Sequence, residues 1–248
     1  MKAYLLAAGK GTRLRPYTDA HPKCLIPIHG VPLLRIWIDL LEQHGVREVL
    51  INTHHHAGQV QAFLSGLRPQ TRVVLHSVHE PHLLGSAGTI RQNRDFVADQ
   101  EDFVIAYADN LTNLDLTKMI DFHYNFRSMG GVLTMGLMRA PDPAACGIAA
   151  VDGTSRITRF VEKPRNPESN LANGGVYIAS GEIFEFFPSP EDGKTDVLDL
   201  GHHILPLLTG RMYGYEIKDY LRDIGTPQAY EKALQEWPAE AARIEPDR

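Results

Sequence analysis

Cysteine, long apolar runs and surplus basic charge are all scarce in this chain, and each scarcity narrows what it does. Only Cys24 and Cys146 occur in 248 residues. They have no metal-ligand spacing and cannot build a disulfide framework, so reduced thiols in the cytoplasm are the expected state. The apolar stretch AYLLAA (3–8) breaks at Gly9, too short for a signal peptide, and no segment approaches the roughly 18 apolar residues of a membrane span. A formal net charge of −5 argues against nucleic acid or an anionic membrane as the main partner. There is no nucleophile elbow, no HExxH, no internal repeat and no low-complexity tract.

What is present is an ordinary globular composition, 43% hydrophobic and 22% charged, with one local anomaly. In residues 1–30, Lys2, Lys10, Arg13, Arg15 and Lys23 are opposed only by Asp19. A basic first segment in an acidic protein points to a confined anion site rather than a sticky face.

Short apolar runs alternate with helical patterns over the first 130 residues. KAYLLAA (2–8), REVLIN (47–52), RVVLH (72–76) and DFVIAYAD (102–109) read as strands. Pro32 opens a helix with Leu33, Leu34, Trp37, Ile38 and Leu41 on one face, and Gly45 stops it. GQVQAFL (58–64), GSAGTIRQN (85–93) and LTKMIDFHYNF (116–126) read as further helices. This alternation predicts a parallel sheet with helices on both faces. Beyond about residue 130, GVLTMGLM, GIAAV, ITRFVEK and GGVYIAS are strands joined by Gly/Pro/Asp-rich turns, expected to join the sheet and form a lid. TDVLDLGHHILPLL (195–208) reads as a helix, MYGYEIK as a strand, and TPQAYEKALQEW (226–237) as a closing helix with Thr226 as N-cap. We expect one domain over 1–237, with a nucleotide-binding half to about 130, a sugar-phosphate half from about 131, and a frayed tail at 238–248.

The loop GKGTRLRP (9–16) after the first strand has three candidate readings. The dinucleotide fingerprint requires a third glycine where Leu14 stands, and the P-loop requires a Gly-Lys-Ser/Thr that is absent. A triphosphate cradle fits: Gly9 and Gly11 let backbone amides approach, Thr12 adds a hydroxyl, and Arg13 offers a planar fork for phosphate oxygens. Lys23, after Pro22, could place a point charge on the same group. The bland alternative is a tight turn with solvated arginines.

LAAGKGTRLRPYT (6–18) and HPKCLIPIHGVPLL (21–34) resemble the N-terminal signature of the sugar-1-phosphate nucleotidyltransferases, also called nucleoside-diphosphate-sugar pyrophosphorylases. Further along, HEPHLLGSAGTI (79–90) is similar to that family's base-binding loop, and YADN (107–110) to its metal-aspartate segment. FVEKP (160–164) and NGGVYI (173–178) resemble its sugar-phosphate segments, and RDIGTP (222–227) its second metal aspartate. Six ordered motifs over residues 6–227 are far more specific than any one of them.

The resemblance implies a Rossmann-like three-layer α/β/α fold with a mixed, mainly parallel sheet, of the GT-A-like nucleotidyltransferase type. It implies attack of a sugar-1-phosphate oxygen on the α-phosphorus of a nucleoside triphosphate. The nucleophile is already an anion, so catalysis rests on alignment and charge neutralisation. Arg13, Lys23, Asp109 and Asp223 are then catalytic, with Asp109 and Asp223 holding Mg²⁺ through oxygen ligands. Leu6, Ala8, Gly9, Gly11, Thr12, Glu80, Gly85 and Gly88 join Arg13 and Lys23 around the nucleotide. Gly147, Glu162, Lys163 and Asn173 would serve the sugar phosphate, Lys163 its phosphate and Glu162 a hydroxyl. Because Lys163 precedes Pro164, the backbone there is expected to be extended. Taken alone, each aspartate reads as a cap or turn residue, Glu162–Lys163 as a solvated strand-end pair, Asn173–Gly175 as a bulge, and GSAG as a glycine-rich helix start.

Two positions depart from the commonest family pattern: Ala108, rather than glycine, precedes Asp109, with Asn110 after it, and Cys24 stands where proline or alanine is usual. The left-handed β-helix that some relatives carry is not expected. The LLGSAGT loop with ADN resembles the mannose-1-phosphate guanylyltransferase branch most. UTP with an amino-sugar acid, CTP with glucose-1-phosphate or phosphocholine, GTP with a heptose-1-phosphate and thymidylyl transfer remain open. So does a non-catalytic nucleotide-sugar sensor, which would not need both carboxylates; a nicotinamide oxidoreductase is disfavoured by Leu14. Consecutive His54, His55 and His56 diverge and make a poor chelate, and the same holds for His202–His203. Cys24 reads as a small packing residue. A homo-oligomer is left open.

Overall fold

Apolar periodicity places most elements correctly in the computed structural model, which describes residues 1–100, 102–189 and 197–238. The first strand is β1 (Lys2–Leu6), followed by the two-residue strands β2 (Pro27–Ile28) and β3 (Val31–Pro32), helix α1 (Leu33–Gln43) and β4 (Glu48–Thr53). Next come α2 (Ala57–Leu67), β5 (Val74–His79), α3 (Gly85–Gln92), β6 (Asp102–Tyr107), β7 (Asn110–Thr112) and α4 (Leu116–Arg127). The remainder is strand-rich: β8 (Leu133–Arg139), β9 (Gly147–Val151), β10 (Ile157–Glu162), β11 (Leu171–Ser180), β12 (Met212–Glu216), β13 (Leu221–Asp223), and then α5 (Pro227–Glu236).

The chain forms two compact units that interleave along the sequence. Unit 1 takes Met1–Tyr4, Leu83–Ala106 and Asp115–Lys218. Its strands run in the order β10-β9-β11-β6-β1, with β8 pairing both β11 and β12. β11 is antiparallel to β6, β8 and β9, whereas β12 runs parallel to β8. Helix α4 buries Leu116 and Met119, and Asp115 caps it by accepting the Lys118 N–H.

Unit 2 takes Leu5–His82, Tyr107–Leu114 and 219 onward. Here β1 neighbours β4, and β4 pairs in parallel with β5 from Glu48↔Val74 to Thr53↔His79. Helix α1 buries Leu33, Leu34, Trp37, Ile38 and Leu41, and Gly45 ends it at a φ of 76° that favours glycine. Thr226 caps α5 by accepting the Ala229 N–H, with Pro227 at the first position. The α/β class with a mixed sheet is therefore met.

One helix differs. Instead of a helix over 195–208, residues 197–199 are irregular, Leu200–Ile204 forms a wide π turn and Leu205–Leu208 a tight 3₁₀ turn. Asp199 caps the segment late, and Pro206 supplies no N–H for a continuing α ladder. Thr195 and Asp196 of that expected helix, and the tail from 239, lie outside the described residues.

Candidate active site

In unit 2 the chain leaves β1 into an open loop. A side chain at Gly9 would meet nothing within 4 Å, and Thr12 and Arg13 are exposed. Gly11 has φ 64° and begins the turn Thr12–Leu14; its carbonyl accepts the Leu14 N–H at 2.9 Å and the Thr18 hydroxyl at 2.8 Å. A Cβ at Gly11 would lie 2.8 Å from Thr18 Cγ2 and 3.2 Å from Lys23 Cβ, so only glycine suits this turn. Leu14, which stands where a dinucleotide fingerprint would have glycine, is a fully buried core residue. Leu6 and Ala8 are buried as well, and the Leu6 carbonyl accepts the Ala108 N–H at 2.9 Å.

Three of the expected catalytic residues converge. Lys23 Nζ, on a side chain only 7% exposed, donates to Asp109 Oδ2 at 2.6 Å and Asp223 Oδ1 at 3.2 Å. Burial alone would lower its pKa, but the two carboxylates outweigh that and hold the ammonium above the ordinary lysine value. The convergence follows from a short antiparallel pair in which Asp223 of β13 lies opposite Asn110 of β7. The Ile224 N–H donates to the Asp109 carbonyl at 3.2 Å, and the Trp37 indole fixes β7 by donating to the Asn110 carbonyl at 2.7 Å. Gly225 completes the turn, since a Cβ there would lie 2.9 Å from Asp223 Oδ1 and 3.2 Å from Lys23 Nζ.

The donor set suits a small hard cation. Two carboxylates reach one cationic nitrogen, so they already converge on a point of positive charge. Their side chains remain 38% and 48% exposed, which leaves room for phosphate and water ligands. Ala108 is fully buried, and its N–H donates to the Leu6 carbonyl at 2.9 Å. Cys24 is buried beside Lys23, and burial pushes its thiol up to about 12, as befits a packing residue.

Glu80 is buried rather than presented to the surface. Asn52 Nδ2 donates to Glu80 Oε1 at 2.9 Å, while Asn52 Oδ1 accepts the Ala7 N–H at 2.7 Å. The pair thus ties β4 and β5 to the start of the phosphate-type loop. The three histidines diverge: the His54 ring bonds the Glu80 carbonyl, whereas the His55 and His56 rings contact each other.

Unit 1 holds the remaining expected residues. Glu162 ends β10 opposite Gly147 of β9, where a Cβ at Gly147 would lie 2.5 Å from Glu162 Oε2. Burial pushes the Glu162 carboxyl above the usual range, against the pull of Lys163 and His202. Lys163 is exposed, with Nζ 4.0 Å from Glu162 Oε1. Its backbone corrects the extended expectation: φ is 49°, and its N–H donates to the Cys146 carbonyl at 3.0 Å, closing the strand pair with a left-handed turn before Pro164. Asn173 serves a bulge in β11, with Nδ2 donating to the Tyr177 hydroxyl at 2.7 Å and Oδ1 accepting the Gly175 N–H at 3.0 Å. Gly85 has φ 74° and packs against the Leu198 backbone, and the Ala87 and Gly88 N–H groups donate to the Leu198 carbonyl.

Asp199, Ser86, Gly201, Asn52 and Gly225 were not singled out from sequence. Asp199 lay inside the helix expected over 195–208, so its role as a cap carried no local signal, and Asn52 sat unmarked at the end of an apolar strand.

Among the described residues no helix is long and apolar enough to cross a membrane. A nucleotidyl transferase family model matches residues 2–240. The chain is 32% identical to UTP–glucose-1-phosphate uridylyltransferase of Synechocystis sp., over 95% of this chain and 63% of that protein. It is 29% identical to mannose-1-phosphate guanylyltransferase of Mycobacterium tuberculosis, over 92% of this chain and 62% of that one. It thus spans a little under two thirds of the length of these curated relatives. The structure of HddC from Yersinia pseudotuberculosis complexed with GMP-PN superposes with a TM-score of 0.76 at 26% identity, over 96% of this chain and 99% of that one. A candidate glucose-1-phosphate thymidylyltransferase of Bacillus anthracis shares the fold, with a TM-score of 0.83 at 24% identity over 100% and 98% of the two chains.

Proposed function

The chain belongs to the nucleotidyl transferase family, and from that premise we propose that it joins a nucleoside triphosphate to a sugar-1-phosphate, releasing pyrophosphate. The observation that carries this reading is the Lys23 ammonium held between Asp109 and Asp223 beside an open glycine loop. A sugar-phosphate oxygen attacks the α-phosphorus, the bond from that phosphorus to the α,β-bridging oxygen breaks, and its electron pair leaves with pyrophosphate. The attacking oxygen is already anionic, so no proton has to be abstracted and no general base is required.

We assign 1–237 to one nucleotidyltransferase domain; the residues proposed for phosphate and metal belong to unit 2, and those proposed for the sugar phosphate belong to unit 1. Gly9, Gly11 and Thr12 give backbone and hydroxyl donors, and exposed Arg13 offers its guanidinium to the leaving phosphates. Lys23 neutralises charge on the same group. Asp109 and Asp223 would hold Mg²⁺, which when bound neutralises phosphate charge and polarises the phosphorus. Glu80 acts by bracing the loop through Asn52. Gly85 and Gly88 shape the base segment, Glu162 accepts from a sugar hydroxyl, Lys163 pairs with the sugar phosphate, and Gly147 and Asn173 shape the surrounding backbone. Two free thiols suit a reducing compartment, and we assign the enzyme to the cytoplasm.

Our best assignment of substrates is GTP and mannose-1-phosphate, supported by the GSAGT loop and by the guanylyltransferase among its relatives. The uridylyltransferase relative favours UTP and glucose-1-phosphate as the second choice. Pyrophosphate release measured for four nucleoside triphosphates against a panel of sugar-1-phosphates with Mg²⁺ decides between them. Release with no pair, together with tight binding of a nucleotide-sugar, would instead establish a sensor.

A further inference from the structure

Asp199 has no part in the reaction as proposed, yet its carboxylate is among the most heavily hydrogen-bonded groups of unit 1. Oδ2 accepts the Ser86 hydroxyl at 3.0 Å, and Oδ1 accepts the His202 N–H at 3.1 Å and lies 3.2 Å from His202 Nδ1. Burial would raise this carboxyl, but the bonds from His202 and Ser86 outweigh it and hold it below the usual range. Ser86 Oγ also accepts the Leu200 N–H at 2.8 Å. Leu198 adds three backbone bonds, accepting from Ala87 and Gly88 and donating to Leu84. Residues 198–200 are thereby stitched onto the first turn of α3 by main chain and side chains together.

This anchored segment leads directly into Gly201, which touches Glu162. A Cβ at Gly201 would lie 2.6 Å from Glu162 Oε2 and 3.2 Å from Asp199 Oδ1. A Cβ at Gly147 would lie 2.5 Å from the same Oε2. Among the described residues Glu162 has no hydrogen-bond donor, and its ion partner Lys163 is 4.0 Å away on an exposed side chain. The Glu162 carboxylate is therefore packed against two glycine backbones, one in a regular strand and one in a π turn that Asp199 caps.

We propose that Asp199 is a positioning residue for Glu162: it caps the turn at 200–204, anchors that turn to Ser86 and so holds Gly201 against the carboxylate that orients the sugar. The inference rests on the reading of Glu162 as the acceptor of a sugar hydroxyl. Backbone placed to tenths of an ångström controls such an acceptor, and a loosened turn lets it rotate into unproductive positions.

Kinetics with GTP, mannose-1-phosphate and Mg²⁺, or with the pair selected by the substrate panel, provide the test. Asp199→Ala is expected to raise the sugar-phosphate KM about tenfold while KM for the nucleotide changes less than about twofold. Ser86→Ala, which removes the anchor from the other side, gives the same pattern. In a Glu162→Gln background Asp199→Ala adds nothing further, because the two act through one group. An unchanged sugar-phosphate KM in Asp199→Ala, or a full additional factor in the double variant, overturns the proposal while leaving Glu162 as a ligand. An unchanged KM in Glu162→Gln alone overturns the sugar-ligand reading itself. Should Asp199→Ala fail to fold, Gly201→Ala decides: its methyl group displaces Glu162 and must raise the same KM, non-additively with Glu162→Gln.

Discussion

Asn110 lies directly opposite Asp223 in the antiparallel pair β7–β13, and this register makes Asp109 and Asp223 neighbours. The Ile224 N–H bonds the Asp109 carbonyl next in the ladder, so two carboxylates far apart in sequence open toward one ammonium. The site's charge balance is thus a product of strand pairing.

Removing either carboxylate charge should cost transition-state stabilisation while preserving shape. Asp109→Asn and Asp223→Asn are each expected to lower kcat/KM about 100-fold, or about 3 kcal/mol, in a pyrophosphate-release assay. Wild-type rates in either variant would remove that residue from the proposed metal site.

If Asp109 and Asp223 hold a divalent cation as proposed, Lys23 competes with it for the same oxygens. Lys23→Met leaves two like charges facing each other, so the substrate-free variant should bind Mn²⁺ at least about tenfold tighter than wild type, about 1.4 kcal/mol. Titration followed by electron paramagnetic resonance measures this directly. The same variant should turn over about 100-fold more slowly if Lys23 balances charge on the departing phosphates as proposed. Equal Mn²⁺ affinity in both proteins would show that the ammonium does not compete for that point.

Gly85 combines a φ of 74° with close approach of the Leu198 carbonyl, and backbone cannot yield as a flexible side chain would. Gly85→Ala should destabilise by about 2 kcal/mol or more. At roughly 2–4 °C per kcal/mol for a chain of this size, Tm falls by about 4–8 °C. Gly153→Ala is the control, because a Cβ there meets nothing within 4 Å and should leave the melting curve in place.

Burial raises the Glu162 carboxyl above its unfolded value, so the folded state binds this proton more tightly than the unfolded chain does. The group's contribution is fully present below the unfolded pKa, near 4.3, and is lost as pH rises through the elevated folded value. Glu162→Gln has no proton to lose. Relative to wild type, the variant should therefore gain unfolding free energy as pH rises from the unfolded pKa through the raised folded value, then level off. Parallel urea titrations at successive pH values measure the difference; a gap that does not change with pH contradicts it.

Local signals carried much of this protein. Apolar periodicity marked β1, α1, β4 and β6, the Thr226–Pro227 pair marked the start of α5, and Leu14 excluded a dinucleotide fingerprint before its burial was known. Each depends on neighbours within a turn or two of backbone, where residue type and conformation are directly coupled. Tertiary structure decided the rest. β7 and β13 are three residues long, too short for any period, yet their pairing assembles Lys23, Asp109 and Asp223. The left-handed turn at Lys163 overrides the local preference before proline because its N–H is needed by the Cys146 carbonyl. The expected helix at 195–208 gives way to a π turn because Asp199 and Leu200 bond Ser86. Sequence by itself determined which chemical groups this protein has and where most of its longer regular elements lie; the short strands, the turn at 200–204 and which groups face one another were decided by pairings between distant segments, whose energies no local pattern records.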